Sequence, residues 1–316
     1  MVDNLIFSIN AVLPIFLIML FGIFLKEIKM LDQSGAKQMN AILFNFALPI
    51  KLFCDVSSAN LAELMDFQLI TFSVASTFVW FFVCWGCAVL FIKDRKMNGA
   101  FIQGSYRSNY AIIGLPLVNS IMGGTIAKAA IITTFVIPIF NVLSVLILTI
   151  YSGEQVSAKE TLISSAKGIV KNPIIIGIMS GIVFSLISIP LPQTIGKSLD
   201  YVSDLSTPMA LISIGASMDF GKIKARIKPA LISTFLKLIG MPLVFLPIAM
   251  LLNMSAENII ILFVMYAAPT AVSSYVMSVY MNSDEFLASN IILLTSLFSV
   301  FTYTIGVYIL RTMSII

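Results

Sequence analysis

Histidine is absent from the 316 residues, so an imidazole base, a histidine-ligated metal site and a Ser-His-Asp triad are all excluded. Charge is scarce as well. Lys and Arg number 19 and Asp and Glu 15, together 11% of the chain, against about a quarter in a soluble domain. So few charged side chains cannot cover the wet surface of a globule of this length. Only three cysteines occur; Cys84 and Cys87 share one apolar run, which excludes a disulfide scaffold, and their CxxC spacing reads as core packing. No nucleophile–base pair, metal-ligand cluster or aromatic-interleaved basic patch is found, so neither an enzyme, a cofactor nor a nucleic-acid partner is expected. Hydrophobic residues fill the chain instead, at 59%, with a mean hydropathy of +1.02. This is the composition of an all-α polytopic membrane protein.

A hydrocarbon core of about 30 Å needs roughly 20 helical residues. Apolar stretches suited to that length lie near 5–25, 38–54, 67–92, 97–121, 127–150, 172–189, 198–218, 229–252, 257–281 and 286–310, predicting ten transmembrane helices. The first lacks a basic front and a small-residue cleavage site, so it reads as a span rather than a signal peptide. With the N-terminus outside, 13 of the 19 cations fall in inner loops, from Lys26 to Lys228, and only Lys128, Lys197 and Arg311 in outer segments. Cytoplasmic loops are enriched in Lys and Arg, so a plasma-membrane protein with both termini outside is predicted. Lys51, Arg107 and Lys237 fall within spans.

The two halves resemble each other. Pro14 and Pro173 stand 159 residues apart, as do Pro49 and Pro208; Pro116 and Pro269 stand 153 apart. Five helices followed by five require the second half to be inverted, with repeats at 1–150 and 172–316 and a short cytoplasmic connector at 151–171. Interrupted spans in matching positions point to a secondary transporter with its site at the midplane. Proline removes an intrahelical hydrogen bond, and free backbone groups at that depth persist only where protein or a wet cavity surrounds them.

Arg107 lies 11 residues past Lys96, about 16 Å into the membrane. A charge there costs about 2.5–3.5 kcal/mol and needs a partner or water. Arg107 reads as part of an anion site with Asn109, followed by Gly114 and Pro116; the alternative is bonding to freed carbonyls or to an acid such as Asp204. Beyond Pro269, the hydroxyls of Thr270, Ser273 and Ser274 can meet a carboxylate or bond back to their own helix. Asn45 and Asn141 can line a cavity or join helices. Lys237 is expected to snorkel to the cytoplasmic side. Asp200 and Asp204, one turn apart, are candidates for ion coupling, Asp204 with Asn141 foremost. Gly177 to Gly181 forms a GxxxG, for close contact within the chain or across a dimer. The methionines and phenylalanines read as filler.

Taken together, the run Arg107 to Leu117, the Ala267-Ala268-Pro269-Thr270-Ala271 segment, Val12-Leu13-Pro14, Ala47-Leu48-Pro49 and the run Pro208 to Ser217 resemble the auxin efflux carrier family in its compact prokaryotic form, over the whole chain. The resemblance implies two inverted five-helix repeats whose fourth and ninth helices break and cross at proline. It implies an elevator-type motion, with helices 1, 2, 6 and 7 as a scaffold through which a homodimer forms and helices 3–5 and 8–10 as the moving part. It also implies an organic anion as substrate: auxin in plants, malonate, malate or similar carboxylates in bacteria. By position, Asn109 and Pro116 fall on the fourth-helix crossover and Pro269 and Thr270 on the ninth. Two departures from plant members are the missing hydrophilic central loop and Thr270 where an amide tends to stand. A small dicarboxylate would use Arg107 and the hydroxyls better than an aromatic acid. The function expected is secondary transport of a small organic anion, with H⁺ or Na⁺ as a possible coupling ion; a Na⁺-coupled bile-acid-type symporter and an anion channel are the alternatives.

Overall fold

Long apolar runs fold as helices because a helix satisfies its own backbone where no water can. The computed structural model describes residues 14, 17–57, 66–122, 127–152, 171–187, 191–216, 224–313 and 315. Among these, every regular element is helical. In chain order they are α1 (17–27), α2 (Gln33–Ile42), α3 (Leu48–Ser57), α4 (Phe67–Phe91), α5 (Arg95–Tyr106), α6 (Leu115–Met122), α7 (Ala127–Ser152), α8 (Pro173–Ile187), α9 (Gln193–Asp204), α10 (Ser206–Ala216), α11 (Ile227–Phe235), α12 (Met241–Leu251), α13 (Ala256–Ala267), α14 (Ser273–Tyr280) and α15 (Glu285–Thr312). Among the described residues, four stretches are long and apolar enough to cross a membrane: Phe67–Phe91, Phe135–Ser152, Ile227–Leu251 and Glu285–Thr312. The faces of α4 are arranged for hydrocarbon. Ser73, Ser76 and Thr77 are buried while Phe78, Phe82, Val89 and Leu90 are exposed, the reverse of a soluble helix.

Helix starts are set by short acceptors. Asp66, Asp94, Ser255 and Asp284 accept from the N–H groups of Leu69, Lys96, Asn258 and Leu287, each cap worth about 1 kcal/mol. Prolines mark something more particular. Three π-helical turns, Leu43–Ala47, Tyr110–Gly114 and Leu236–Gly240, are each followed after one residue by a proline: Pro49, Pro116 and Pro242. The N–H just before each proline donates five residues back, Leu48 to Leu43, Leu115 to Tyr110 and Met241 to Leu236. The widened turn makes room for a ring that would otherwise strike the preceding turn. Pro116 therefore sits inside a helix that has already resumed, and the first interruption lies further back, at Arg107–Asn109; the expectation of a break at Pro116 is corrected.

Two close contacts join helices of the two halves. A Cβ on Gly22 of α1 would strike the Ile212 carbonyl of α10, and one on Gly215 of α10 would strike the Met19 carbonyl of α1. Likewise Gly177 of α8 faces the backbone of Pro49 in α3, so this glycine of the GxxxG serves a contact within the chain. Elsewhere ionic ties join helix ends. Lys128 bonds Asp66 at 2.9 Å and Glu257 at 3.3 Å, and Arg226 bonds Asp284 at 2.6 Å.

Candidate functional site at two meeting helix breaks

Between α5 and the π turn before α6, and between α13 and α14, the chain leaves helical geometry in the same way. Arg107 (φ −72°, ψ 138°) ends α5 with its N–H on the Gln103 carbonyl; Ala268 (φ −63°, ψ 140°) ends α13 with its N–H on Val264. Each exit strands carbonyls of the helix's last turn, because the residues four ahead no longer donate back. Pro269 has no N–H for Met265, and the Ser108 hydroxyl donates to that carbonyl at 2.8 Å. In return the Thr270 hydroxyl donates to the Gly104 carbonyl at 2.7 Å. The Asn109 N–H, lost to Ser105, donates to the Pro269 carbonyl at 2.8 Å, while the Thr270 N–H bonds the Thr295 hydroxyl. The carbonyls of Ser105 and Tyr266 accept from Trp80 Nε1 at 3.3 Å and Lys237 Nζ at 2.5 Å. Gly104 and Met265, Ser105 and Tyr266, and Arg107 and Ala268 all stand 161 residues apart, so the two breaks present equivalent carbonyls, each capped by a hydroxyl of the other break or a donor of a neighbouring helix.

One group has no equivalent. The Arg107 guanidinium is buried, with 4% of its surface exposed. It donates to Asn141 Oδ1 at 2.8 Å, Ser273 Oγ at 2.6 Å, Ser144 Oγ at 3.4 Å and Met277 Sδ at 2.8 Å. All four partners are uncharged. Asn141 is fixed in turn by its amide on the Ile137 carbonyl, and Ser144 by a 2.7 Å bond to the Tyr106 hydroxyl. A cation so placed, in a neutral cradle and with no carboxylate bonded to it among the described residues, retains the capacity to hold an anion.

Arg107 opens onto a cavity of about 70 Å³. Of the residues singled out in the sequence, Arg107, Asn109, Asn141 and Ser273 line it. The others do not. Gly114 is covered by the Tyr110 ring, the side chain of Pro116 lies outside the described residues, and Pro269 and Thr270 are spent on the stitching bonds. Ser274 is buried away from the cavity lining. Asn45 donates to the Ala41 carbonyl of its own helix and accepts from Tyr280; Asp204 is exposed at the end of α9 and pairs with no part of Arg107. The cavity is completed by residues with no assigned role in the sequence reading: Lys51 of α3, and Ser206 and Thr207 of α10.

The family described as membrane transport protein matches residues 7–307. The chain belongs to this auxin efflux carrier family. Its relatives include an Escherichia coli (strain K12) protein named "Uncharacterized transporter YfdV", 25% identical over 98% of this chain and 100% of that one. A Methanocaldococcus jannaschii protein named "Uncharacterized transporter MJ1031" is 25% identical over 95% of this chain and 98% of its own. A Rhizobium meliloti protein named "Putative malonate transporter" is 26% identical over 96% of each.

Within this carrier, two sequence expectations are overturned. Lys237 does not snorkel; it is wholly buried, because the carbonyl stranded at Tyr266 needs a donor deep in the fold. Met277 is not filler, since its sulfur faces both Arg107 and Gln103. Neither was legible: a lysine in an apolar helix looks the same whether it reaches out or in, and a methionine carries no polar pattern. Lys51 had one available signal, a cation inside a span with no interfacial position to explain it.

Proposed function

We propose that this auxin efflux carrier family member is a secondary carrier for a small organic carboxylate, with alternating access at the paired helix breaks. The observation that carries the reading is the buried Arg107 guanidinium, lining a cavity and bonded only to neutral groups. At roughly 10–15 Å³ per water, a cavity of about 70 Å³ has room for about five waters, which suits a small carboxylate better than a two-ring aromatic acid. The name of the Rhizobium meliloti relative supports malonate as a first substrate to try.

In this reading the chain forms ten membrane helices in two inverted halves, with both termini outside. Helices 1, 2, 6 and 7 correspond to α1, α2 with α3, α8, and α9 with α10; the remainder carry the breaks. The equivalence of the stranded carbonyls at the two breaks supports the repeat, and each half supplies a hydroxyl that the other lacks. The cavity takes residues from both groups, which supports a motion of one past the other. Counterflow in proteoliposomes tests the proposal: labelled malonate exchanging saturably against internal malonate, through the wild-type protein only, is expected. A conductance that does not saturate would favour a channel instead, and absence of exchange for malonate, malate and succinate would overturn the carboxylate.

A further inference from the structure

Two elements that line the cavity run from it to a common meeting point. Leu48 of α3 and Ser273 at the start of α14 are both lining residues. Four residues back from Leu48 the chain reaches Phe44, in the π turn, and seven residues on from Ser273 it reaches Tyr280, at the end of α14. There the rings of Phe44 and Tyr280 stack, with centroids 4.1 Å apart and planes inclined by 16°. The Tyr280 hydroxyl donates to Asn45 Oδ1 at 3.3 Å, and Asn45 is oriented for this by its own amide on the Ala41 carbonyl. One residue further, Met281 Sδ accepts from Asn172 Nδ2 at 4.0 Å, while Asn172 Oδ1 caps α8 by accepting from the Ile174 N–H. Along its length α14 packs against α2, the π turn and α10. In the division proposed above, all of these partners belong to helices 1, 2, 6 and 7, whereas α14 belongs to the group that carries the breaks. Phe44 is 2% exposed but Tyr280 is 44% exposed, so the tyrosine ring is free to leave Phe44 without passing through the packed interior.

We propose that Tyr280 is a latch that closes the cytoplasmic route to the cavity and releases when the carrier opens inward. This rests on the alternating-access reading above and names a contact that joins the two helix groups on one side of the site. The side follows from the lysines. Lys37 stands on α2 and Lys171 directly before Asn172, both on the face that the distribution of cations makes cytoplasmic. A contact made in one state and absent from the other shifts the equilibrium between them by its own free energy. An aromatic pair and a hydrogen bond each correspond to about 2- to 12-fold in such an equilibrium, and the two together to about 5- to 150-fold. That is the range over which one bound ligand commonly shifts a two-state protein, so the latch is strong enough to hold the empty carrier closed inward and weak enough for a bound anion to reverse. Its two parts are separable, because the stack needs only the ring and the bond to Asn45 needs only the hydroxyl.

The test is the reaction of a cavity cysteine, introduced as Thr207→Cys, with a charged, membrane-impermeant maleimide applied to right-side-out and to inverted membrane vesicles. The chain without Thr207→Cys is the blank for the native Cys54, Cys84 and Cys87. With Tyr280 intact, little labelling from the cytoplasmic side is expected. Adding Tyr280→Ala should accelerate it at least about fivefold, and Tyr280→Phe, which keeps the ring and loses the bond to Asn45, about 2- to 12-fold. Neither should accelerate labelling from the outer side. Tyr280→Phe also serves as the second variant should Tyr280→Ala fail to elute as a single species. Cytoplasmic labelling unchanged in the variants, acceleration that is equal from both sides, or acceleration from the outer side alone would overturn the latch while saturable counterflow by the wild type leaves the carrier standing. A wild type without saturable counterflow would instead remove the alternating-access reading on which the latch rests.

Discussion

The two helix breaks share their backbone geometry and differ in charge. At both, the helix exits into an extended residue and strands carbonyls of its last turn. Both are repaired by a hydroxyl from the opposite break and a long side-chain donor from a neighbouring helix. Where the first break has Arg107, however, the second has Ala268. The shared parts are those that any interrupted helix needs in an apolar interior, so they belong to stability. The unshared guanidinium bonds neither break's backbone, so its insertion cost of about 2.5–3.5 kcal/mol is not offset by the stitching. Arg107 and Lys237 make the same contrast from another direction. Both are buried cations, but Lys237 donates to the stranded Tyr266 carbonyl, whereas the Arg107 guanidinium donates only to side chains, of which Asn141 and Ser273 line the cavity.

The contrast is broken most sharply by Arg107→Met. It should lower carboxylate exchange at least about 30-fold, the loss expected when one partner of a buried charged pair is removed, with elution on gel filtration unchanged. A mutant that unfolds would make Arg107 a structural residue like Lys237. The shared half of the comparison predicts equality instead. Ser108→Ala and Thr270→Val each strand one carbonyl, so each should cost about 1–3 kcal/mol of stability, read as similar falls in melting temperature in detergent. A large fall in one and none in the other would show that the breaks are not equivalent. Trp80→Phe removes a longer bond, 3.3 Å to Ser105, and should cost only about 0.5–1.5 kcal/mol.

The smallest effect lies outside the membrane, where the tie at Asp66 holds the starts of α4, α7 and α13 together. Burial pushes this carboxyl up, but bonds from Lys128, the Leu69 N–H and Asn258 outweigh it and hold it down at about 2. An unfolded aspartate titrates near about 3.9. The lowered value means that the tie stabilises fully above that pH and fades as pH falls towards about 2. Because the pair is partly exposed, the change should be under about 1 kcal/mol. Melting curves of wild type and Asp66→Asn should therefore converge slightly between pH 4 and pH 2, and parallel curves would show that the tie adds nothing.

How much of this was legible in the sequence follows from what kind of signal each residue leaves. Arg107 stands out because a charge 11 residues past the last loop lysine has no interfacial explanation, and Asn109, Asn141 and Ser273 stand out as polar groups in apolar runs. The position of the first break did not show, because Pro116 advertises a disruption that a π turn has already absorbed, while Arg107-Ser108-Asn109 contains no proline. Thr270 and Pro269 look like ligand groups in sequence, yet their bonds go to the opposite break; that pairing is a property of two segments 161 residues apart. Ser206 and Thr207 stand at ordinary positions on their own helix and come to line the cavity only when α10 is packed beside it, whereas Lys51 signals only as a cation inside a span.

The most direct test of the central claim is the shift in melting temperature of the purified chain as malonate or succinate is added. A ligand that binds the folded state raises its stability by mass action, independently of any transport step. The melting temperature of the wild type should climb with dicarboxylate concentration, and that of Arg107→Met should stay flat over the same range. A climb in Arg107→Met equal to that of the wild type would contradict the account, because the anion would then be held somewhere that the charged break does not reach.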